Sequence, residues 1–316
     1  MPVIAIDFGG TNIKIGLVDN GKILLTQSIP AISSEGIRPR LEEVRSRING
    51  LLNKQGLSPG DCSGIGIAIP GIVDVRQRRV CSINKKYEDA VTVDFPKWCD
   101  ESFGLKLMMD NDANCAILGE TRYGCAIGLT DAVIMIFGTG IGTAALIGEK
   151  LLRGRHYQAG CLGGHLIIDR NGPVCTCGNR GCIEAHAGTW ALPAIAKGSN
   201  CFADSQLSKQ TEIDYKSVIE CMRQGDACSK ALFGELLDCW GAGLVNLVHA
   251  YDPEVIILSG GLMKDSELIL PHLKRYVRNN AWTPWGDVEF RVSGQPDASV
   301  LLGLYSLCTD ATEQEG

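Results

Sequence analysis

Apolar residues along the chain follow two rhythms. Val3-Ile-Ala-Ile6 is a continuous apolar run that ends at Asp7 and leads into Gly9-Gly10-Thr11. Ile13–Val18 then alternates, and Asp19-Asn20-Gly21 is a two-residue hairpin signal before a third strand. The opening of the chain is therefore predicted as a β-meander. The pattern returns at Val133–Phe137, which leads into Gly138-Thr139-Gly140-Ile-Gly142 and on to Leu146-Ile-Gly148-Glu149-Lys150. Phe8-Gly9 and Phe137-Gly138 align at one offset, and that offset also carries Leu17 onto Leu146. Two copies of strand, glycine turn, strand, tight turn and strand predict an internal duplication. Two unrelated glycine-rich hairpins are the other reading.

Helical spacing occupies Leu41–Leu52, Tyr215–Met222, Ala231–Ala250, Leu268–Val277 and Ser299–Leu307. Buried strands are predicted at Ile65–Ile69, Leu105–Met109 and Val255–Leu258. Strands and helices alternate in both halves, so the class is α/β. A ligand cleft is expected where two such halves meet. The polar tail Thr309–Gly316 is expected to fray.

Composition narrows the partners. A chain of 316 residues suggests two domains. Its 38 glycines gather in short turns rather than in a fibrous repeat. The net charge of −6 argues against a nucleic-acid partner, whose footprint is basic. The longest uncharged stretch, Ala132–Gly148, is broken by glycines and threonines and is no membrane span. Val3–Ile6 is too short for a signal-peptide core. The expectation is a cytoplasmic protein without a membrane partner. In that compartment its 14 cysteines stay free or bind metal. Cys62, Cys81, Cys99, Cys115 and Cys239 stand alone and read as small buried hydrophobes.

Four constellations carry candidate chemistry. The backbone amides of the two glycine turns form anion-binding concavities, and paired copies suit a polyphosphate. Thr11 and Thr139 offer hydroxyls, Lys14 offers a cation, and Asp7 offers a carboxylate for hydrated Mg2+. Asp110-Asn111-Asp112-Ala113-Asn114 follows a strand, where α/β sheets bind ligands. A carboxylate there can take a proton from an attacking hydroxyl, or can simply cap the next helix; Asp110 as cap and Asp112 as base divides the roles. His165, Cys175, Cys177 and Cys182 match a closed structural zinc site, with a disulfide or unlinked thiols as the alternatives. Glu184 lies just past the last of these residues. Ser259-Gly260-Gly261 suits close packing of a base or ribose, or a plain turn. Neither a P-loop nor a G-x-G-x-x-G, G-x-S-x-G or H-E-x-x-H motif is present.

Together these residues resemble the ROK family of repressors, open reading frames and sugar kinases. Asp7-Phe-Gly-Gly-Thr11-Asn-Ile-Lys14 resembles its first phosphate motif, Gly138-Thr-Gly140-Ile-Gly142 its second, and Asn111-Asp112-Ala-Asn114 its catalytic segment. Cys175-x-Cys177-Gly-x-x-Gly181-Cys182-x-Glu184 matches its zinc signature at every position. The resemblance implies the two-domain actin-like ATPase fold, related to ribonuclease H, with the duplication read above and a zinc loop at 160–188. One domain would comprise 1–116 with 297–316, the other 117–296. It implies an ATP-dependent sugar kinase with Asp112 as base, acting on a hexose or amino-sugar hydroxyl, O6 being expected. ATP and Mg2+ fall to Asp7, Gly9, Gly10, Thr11, Lys14, Gly138, Thr139, Gly140, Gly260 and Gly261. The sugar falls to Asn111, Asp112, His165 and Glu184, with Gly71 and Asn84 lining the pocket. Structural Zn2+ falls to His165 and the three cysteines, and a homodimer or homotetramer is expected. One position departs: the family carries Glu three residues before the zinc histidine, and here that residue is Leu162. The rival is a sugar sensor that has lost catalysis. The DNA-binding segment of the repressor branch would precede the first strand, and Asp7 lies too near the start to leave room for it.

Overall fold

The computed structural model describes residues 1–313. The predicted meander forms as β1 (Val3–Phe8), β2 (Asn12–Asp19) and β3 (Lys22–Pro30). It is followed by α1 (Arg38–Gln55), β4 (Gly64–Ile69), β5 (Ile72–Asp74), β6 (Arg79–Ser82), α2 (Phe95–Phe103), β7 (Leu107–Asn111) and α3 (Asp112–Tyr123). The second copy comprises β8 (Ala132–Phe137), β9 (Ile141–Ile147) and β10 (Lys150–Leu151). Beyond it lie α4 (Ile183–Ala187), α5 (Leu192–Gly198), α6 (Tyr215–Arg223), α7 (Ala227–Tyr251), β11 (Val255–Ser259), α8 (Ser266–Asn280), β12 (Glu289–Val292) and α9 (Pro296–Glu313).

The two main sheets have the same order. One runs β3-β2-β1-β4-β7 and the other β10-β9-β8-β11-β12, so each is an inverted meander extended by two later strands. This shared order bears out the duplicated α/β fold. Contact density divides the chain into two units. The first comprises Met1–Ile134, Ala144–Cys161 and the segment from Ser293 onward. The second comprises Met135–Thr143 and Leu162–Val292.

In the first unit β1 pairs antiparallel with β2 and parallel with β4, and β4 pairs parallel with β7. A central strand covered on both faces must be apolar throughout, which explains the unbroken run at Val3–Ile6. Ile4, Ile6 and Phe8 pack with Val44 and Ile48 of α1. Val3 and Ala5 pack on the opposite face with Leu301 and Leu304 of α9. Register places Asp7 beside Ala68, and Ala68 beside Asp110, at the carboxyl ends of three parallel strands. α9 also crosses α3 at two glycines. A Cβ on Gly119 would overlap the Ser299 carbonyl, and one on Gly303 the Cys115 carbonyl, so the two backbones touch. Glu120 of α3 accepts the hydroxyls of Ser293 and Ser299 at the same crossing.

In the second unit α7 is long and apolar enough in composition to cross a bilayer, but over half of that stretch is buried. It is the unit's core helix. Trp240 is fully buried, packs at a tilt against Phe137 with ring centroids 4.5 Å apart and donates from Nε1 to the Ala187 carbonyl at 3.0 Å. The hydroxyl of Tyr215 donates to the same carbonyl at 2.7 Å. Both bonds hold the end of α4.

Four expectations are corrected. The strand predicted at Leu105–Met109 runs over Leu107–Asn111, because pairing with β4 continues to Asn111. The tail does not fray from Thr309: α9 continues to Glu313, and the rest of the predicted tail lies outside the described residues. The thiols are not all free, since Cys201 and Cys228 form a disulfide. Asp226 brings them together by capping α7 at Ser229 while binding Ser205 and Gln206. Of the isolated cysteines, Cys62, Cys99 and Cys115 are buried as expected, whereas Cys81 is exposed and Cys239 half-buried.

Candidate active site

The first glycine turn has its carbonyls drawn back into the protein. Gly9 O accepts from the Tyr87 hydroxyl at 2.9 Å, Gly10 O from Ser33 Oγ at 3.0 Å, and Thr11 O from Ala31 N at 2.9 Å. In a trans peptide C=O and N–H point in opposite directions. The amides of Gly10, Thr11 and Asn12 are thus directed away from these partners, as an anion site requires. A Cβ on Gly10 would come within 2.6 Å of the Lys86 ammonium. The Lys14 ammonium pairs with Asp297 at 2.6 Å. Asp7, at the end of β1, is only 6% exposed. Burial, and next the charge of Asp112, push its carboxyl up to about 7, against the counter-effect of Lys14.

Asn111 caps α3, accepting from Ala113 N at 2.9 Å and Asn114 N at 3.3 Å. Its Nδ2 donates to the Gly71 carbonyl at 3.0 Å. Asp110 is therefore not the cap: β7 extends one residue past it and hands that role to Asn111. Asp110 is instead a buried anchor, 1% exposed. Its Oδ1 accepts from Asn111 N at 2.7 Å and Asn114 Nδ2 at 2.8 Å. Its Oδ2 accepts both Nε and Nη2 of Arg153, at 2.9 and 2.6 Å.

Asp112 is the first residue of α3, where the helix dipole favours an anion. Burial nonetheless raises its pKa, and the Lys86 charge opposes that rise. Gly71 adopts φ +126°, and a Cβ there would meet the Ser82 carbonyl at 2.5 Å. Asn84 is exposed. Lys86, Tyr87 and Arg153 carry no motif and were not expected here. The cation of a side chain 43 residues from Asp110 gives no local signal.

The second glycine turn repeats the device within the second unit. Gly138 O accepts from Thr189 Oγ1 at 2.8 Å and Thr139 O from Trp190 N at 3.2 Å. Glu184 backs the turn. Its carboxylate accepts from Ile141 N at 2.8 Å and Trp190 Nε1 at 3.1 Å, and a Cβ on Gly140 would overlap it. Gly260 has φ +101° and lies against the Phe137 carbonyl, where no side chain fits. Gly261 opens the short turn into α8.

The donor atoms of His165, Cys175, Cys177 and Cys182 all lie within 4.8 Å of one another. Cys175 Sγ is 3.5 Å from His165 Nδ1, and Cys177 Sγ is 3.7 Å from Cys182 Sγ. Gly178 and Gly181, at φ +90° and +71°, provide the reversals that fold the loop back. Four such donors converging on one point fit a tetrahedral zinc ion. Leu162 is 37% exposed, and its carbonyl accepts from His165 N at 2.9 Å.

The sequence matches the ROK family description over residues 3–311. A glucokinase of Thermotoga maritima is 29% identical over 284 residues, covering 88% of this chain and 87% of the relative. A xylose repressor of Bacillus spizizenii is 28% identical over 308 residues, covering 96% of this chain and 76% of the repressor. Among solved structures, a ROK family glucokinase of Streptomyces griseus in complex with glucose and AMPPNP superposes with a TM-score of 0.77. It is 28% identical and covers 98% of this chain and 100% of that one.

Proposed function

The chain belongs to the ROK family, and on that premise we propose that it is an ATP-dependent kinase that phosphorylates a hexose or amino-sugar at O6. The observation that carries this reading is Asp112, a carboxylate at a helix start beside Asp7, in a unit whose glycine turn offers its amides to an anion. The actin-like ATPase fold agrees with it.

In this reading the Asp112 carboxylate takes the proton of the attacking hydroxyl. The sugar oxygen then bonds to the γ-phosphorus, and ADP leaves with the electrons of the broken P–O bond. A base raised above the ordinary carboxylate range accepts a proton more readily near neutrality, and such a group contributes roughly 10²–10⁴ in rate. Amides of Gly10, Thr11 and Asn12, with Lys14, stabilise phosphate charge in the first unit, and those of Thr139 and Gly140 do so in the second, with Gly9 and Gly138 as the small residues that open each turn. Gly260 and Gly261 bring backbone to the nucleoside, with open space beside Gly261. Asn111, Gly71 and Asn84 in the first unit, and His165 and Glu184 in the second, recognise sugar hydroxyls. Leu162 offers no hydrogen bond from its side chain, so the hydroxyl pattern tolerated differs from that of a site with Glu there.

Asp7 fits a Mg2+ site: its buried carboxylate is crowded by a second negative charge, which a dication would relieve. Bound there, Mg2+ neutralises phosphate charge. His165, Cys175, Cys177 and Cys182 fit Zn2+, which in a closed four-ligand site organises the loop and does no chemistry. Two further parts of the reading are an assembly of two or four copies and a division at 1–116 with 297–316 against 117–296.

A second reading, a sugar sensor without turnover, is favoured by the match to the xylose repressor and by Leu162. An ADP-release assay over hexoses, N-acetylhexosamines and ketoses separates the two. Release with one sugar supports the kinase, whereas binding of a sugar without release supports the sensor.

A further inference from the structure

Lys86 belongs to none of the motifs, yet the structure brings it to the first phosphate turn. A Cβ on Gly10 would stand 2.6 Å from its Nζ, 2.7 Å from Cε and 3.1 Å from Cδ. The end of the side chain therefore lies along the turn backbone, in space that only glycine at position 10 leaves open. The segment that carries it is stitched to the same turn. Tyr87 is fully buried, its hydroxyl holds Gly9 O, and its amide donates to Ser33 O at 2.8 Å. Ser33 in turn holds Gly10 O. Lys85 and Tyr87, on either side, both adopt left-handed backbone, at φ +57° and +50°. Non-glycine residues rarely do so, and sparsely populated conformations of this kind gather at functional sites. Lys85 is exposed while Lys86 is half-buried.

The charge on Lys86 is also uncommitted. Lys14, the other cation of this turn, is matched by Asp297. Among the described residues Lys86 has no carboxylate within ion-pair distance. Its field reaches Asp112, whose burial-driven rise it opposes. A half-buried ammonium at an amide-lined turn, within the field of the base, is placed for a multiply charged oxyanion.

We propose that Lys86 is a catalytic residue whose ammonium ligates the phosphoryl group being transferred. This rests on the kinase reading above and adds a residue to it. The proton of the hydroxyl goes to Asp112, the new bond forms between the sugar oxygen and the γ-phosphorus, and ADP takes the electrons of the broken bond. Lys86 stays protonated throughout and stabilises charge on the phosphoryl oxygens.

The test compares the full-length wild type with Lys86→Met, Lys86→Arg and Lys85→Met. It measures ADP release at saturating sugar, and the affinities for ATP and AMP by calorimetry. Lys86→Met should lower kcat roughly 10- to 100-fold, the worth of a hydrogen bond between charged groups. It should weaken ATP about tenfold or more while leaving AMP unchanged, because AMP has no γ-phosphate. Lys86→Arg should recover part of both, and Lys85→Met should match wild type. If Lys86→Met does not fold, Lys86→Gln is judged by the same criteria. Unchanged kcat and an unchanged preference for ATP over AMP would overturn the proposal. A wild type that releases no ADP with any sugar overturns the kinase reading instead. Lys86 is then judged by the ATP-over-AMP preference alone, and a wild type without that preference overturns it.

Discussion

Replacing Asp7 by Asn should make the protein more stable in a pH-dependent way. The carboxyl is 6% exposed and titrates near 7 instead of its ordinary 3.8, because burial and the Asp112 charge oppose ionisation. A carboxyl raised in the folded state favours folding below its unfolded value, and that contribution is lost as pH rises through the folded one. The full cost of holding Asp7 ionised above about pH 8 is therefore on the order of 4 kcal/mol. Of this, roughly 1.5 kcal/mol is already incurred at pH 5. Asn has nearly the same shape and no charge. Urea denaturation of both proteins, without added Mg2+, should show Asp7→Asn gaining on wild type by about 2–3 kcal/mol between pH 5 and pH 8. Comparing the two proteins at each pH cancels every other titration. A stability difference that stays constant with pH would show that Asp7 is not held in a repulsive buried state. The Mg2+ assignment built on that repulsion would go with it. The same variant should lose kinase activity, so stability and turnover move in opposite directions.

Asp112→Asn should leave sugar binding intact and lower kcat by roughly 10²–10⁴ in the ADP-release assay, and near-normal turnover would remove Asp112 as the base. Its wild-type activity should also fall on the acid side with a midpoint above the ordinary carboxylate range, since burial raises that carboxyl and protonation disables it. Cys177→Ser should lower both bound zinc, measured by atomic emission, and the melting temperature, whereas a fully metallated variant melting like wild type would argue against the four-ligand site. Arg153→Ala should cost about 3–5 kcal/mol in urea denaturation, because it strands the buried Asp110 carboxylate without its partner. The double replacement with Asp110→Ala should recover part of that loss, and purely additive losses would mean that the pair is not coupled.

Much of the fold was legible because its signals are local. The hairpin at Asp19-Asn20-Gly21, the two glycine turns and the apolar run of β1 each announce themselves within a few residues. The cysteine cluster is equally local, with three of its four donors between Cys175 and Cys182. What was missed depends on approach across the chain. The Tyr87 hydroxyl reaches Gly9 over 78 positions, and no spacing rule foresees it. Lys86 and Arg153 look like ordinary surface cations until the sheet places Asp110 and Gly10 beside them. The choice of Asn111 over Asp110 as helix cap turned on one further residue of strand pairing. The Cys201–Cys228 bond was hidden because Asp226, a residue outside any cysteine pattern, assembles that loop.

The backbone crossing of α3 and α9 at Gly119 and Gly303 also bears on how the protein is made. The helix that begins at Asp112 is seated against one the ribosome delivers after every other described element. A nascent chain halted before Ser293 has already synthesised both turns, the cysteine loop and the acid itself. It still lacks the surface on which that helix rests, and the two serines that occupy Glu120. The seat of the Asp112 helix is thus supplied by the last described helix and not by the elements that precede it along the chain.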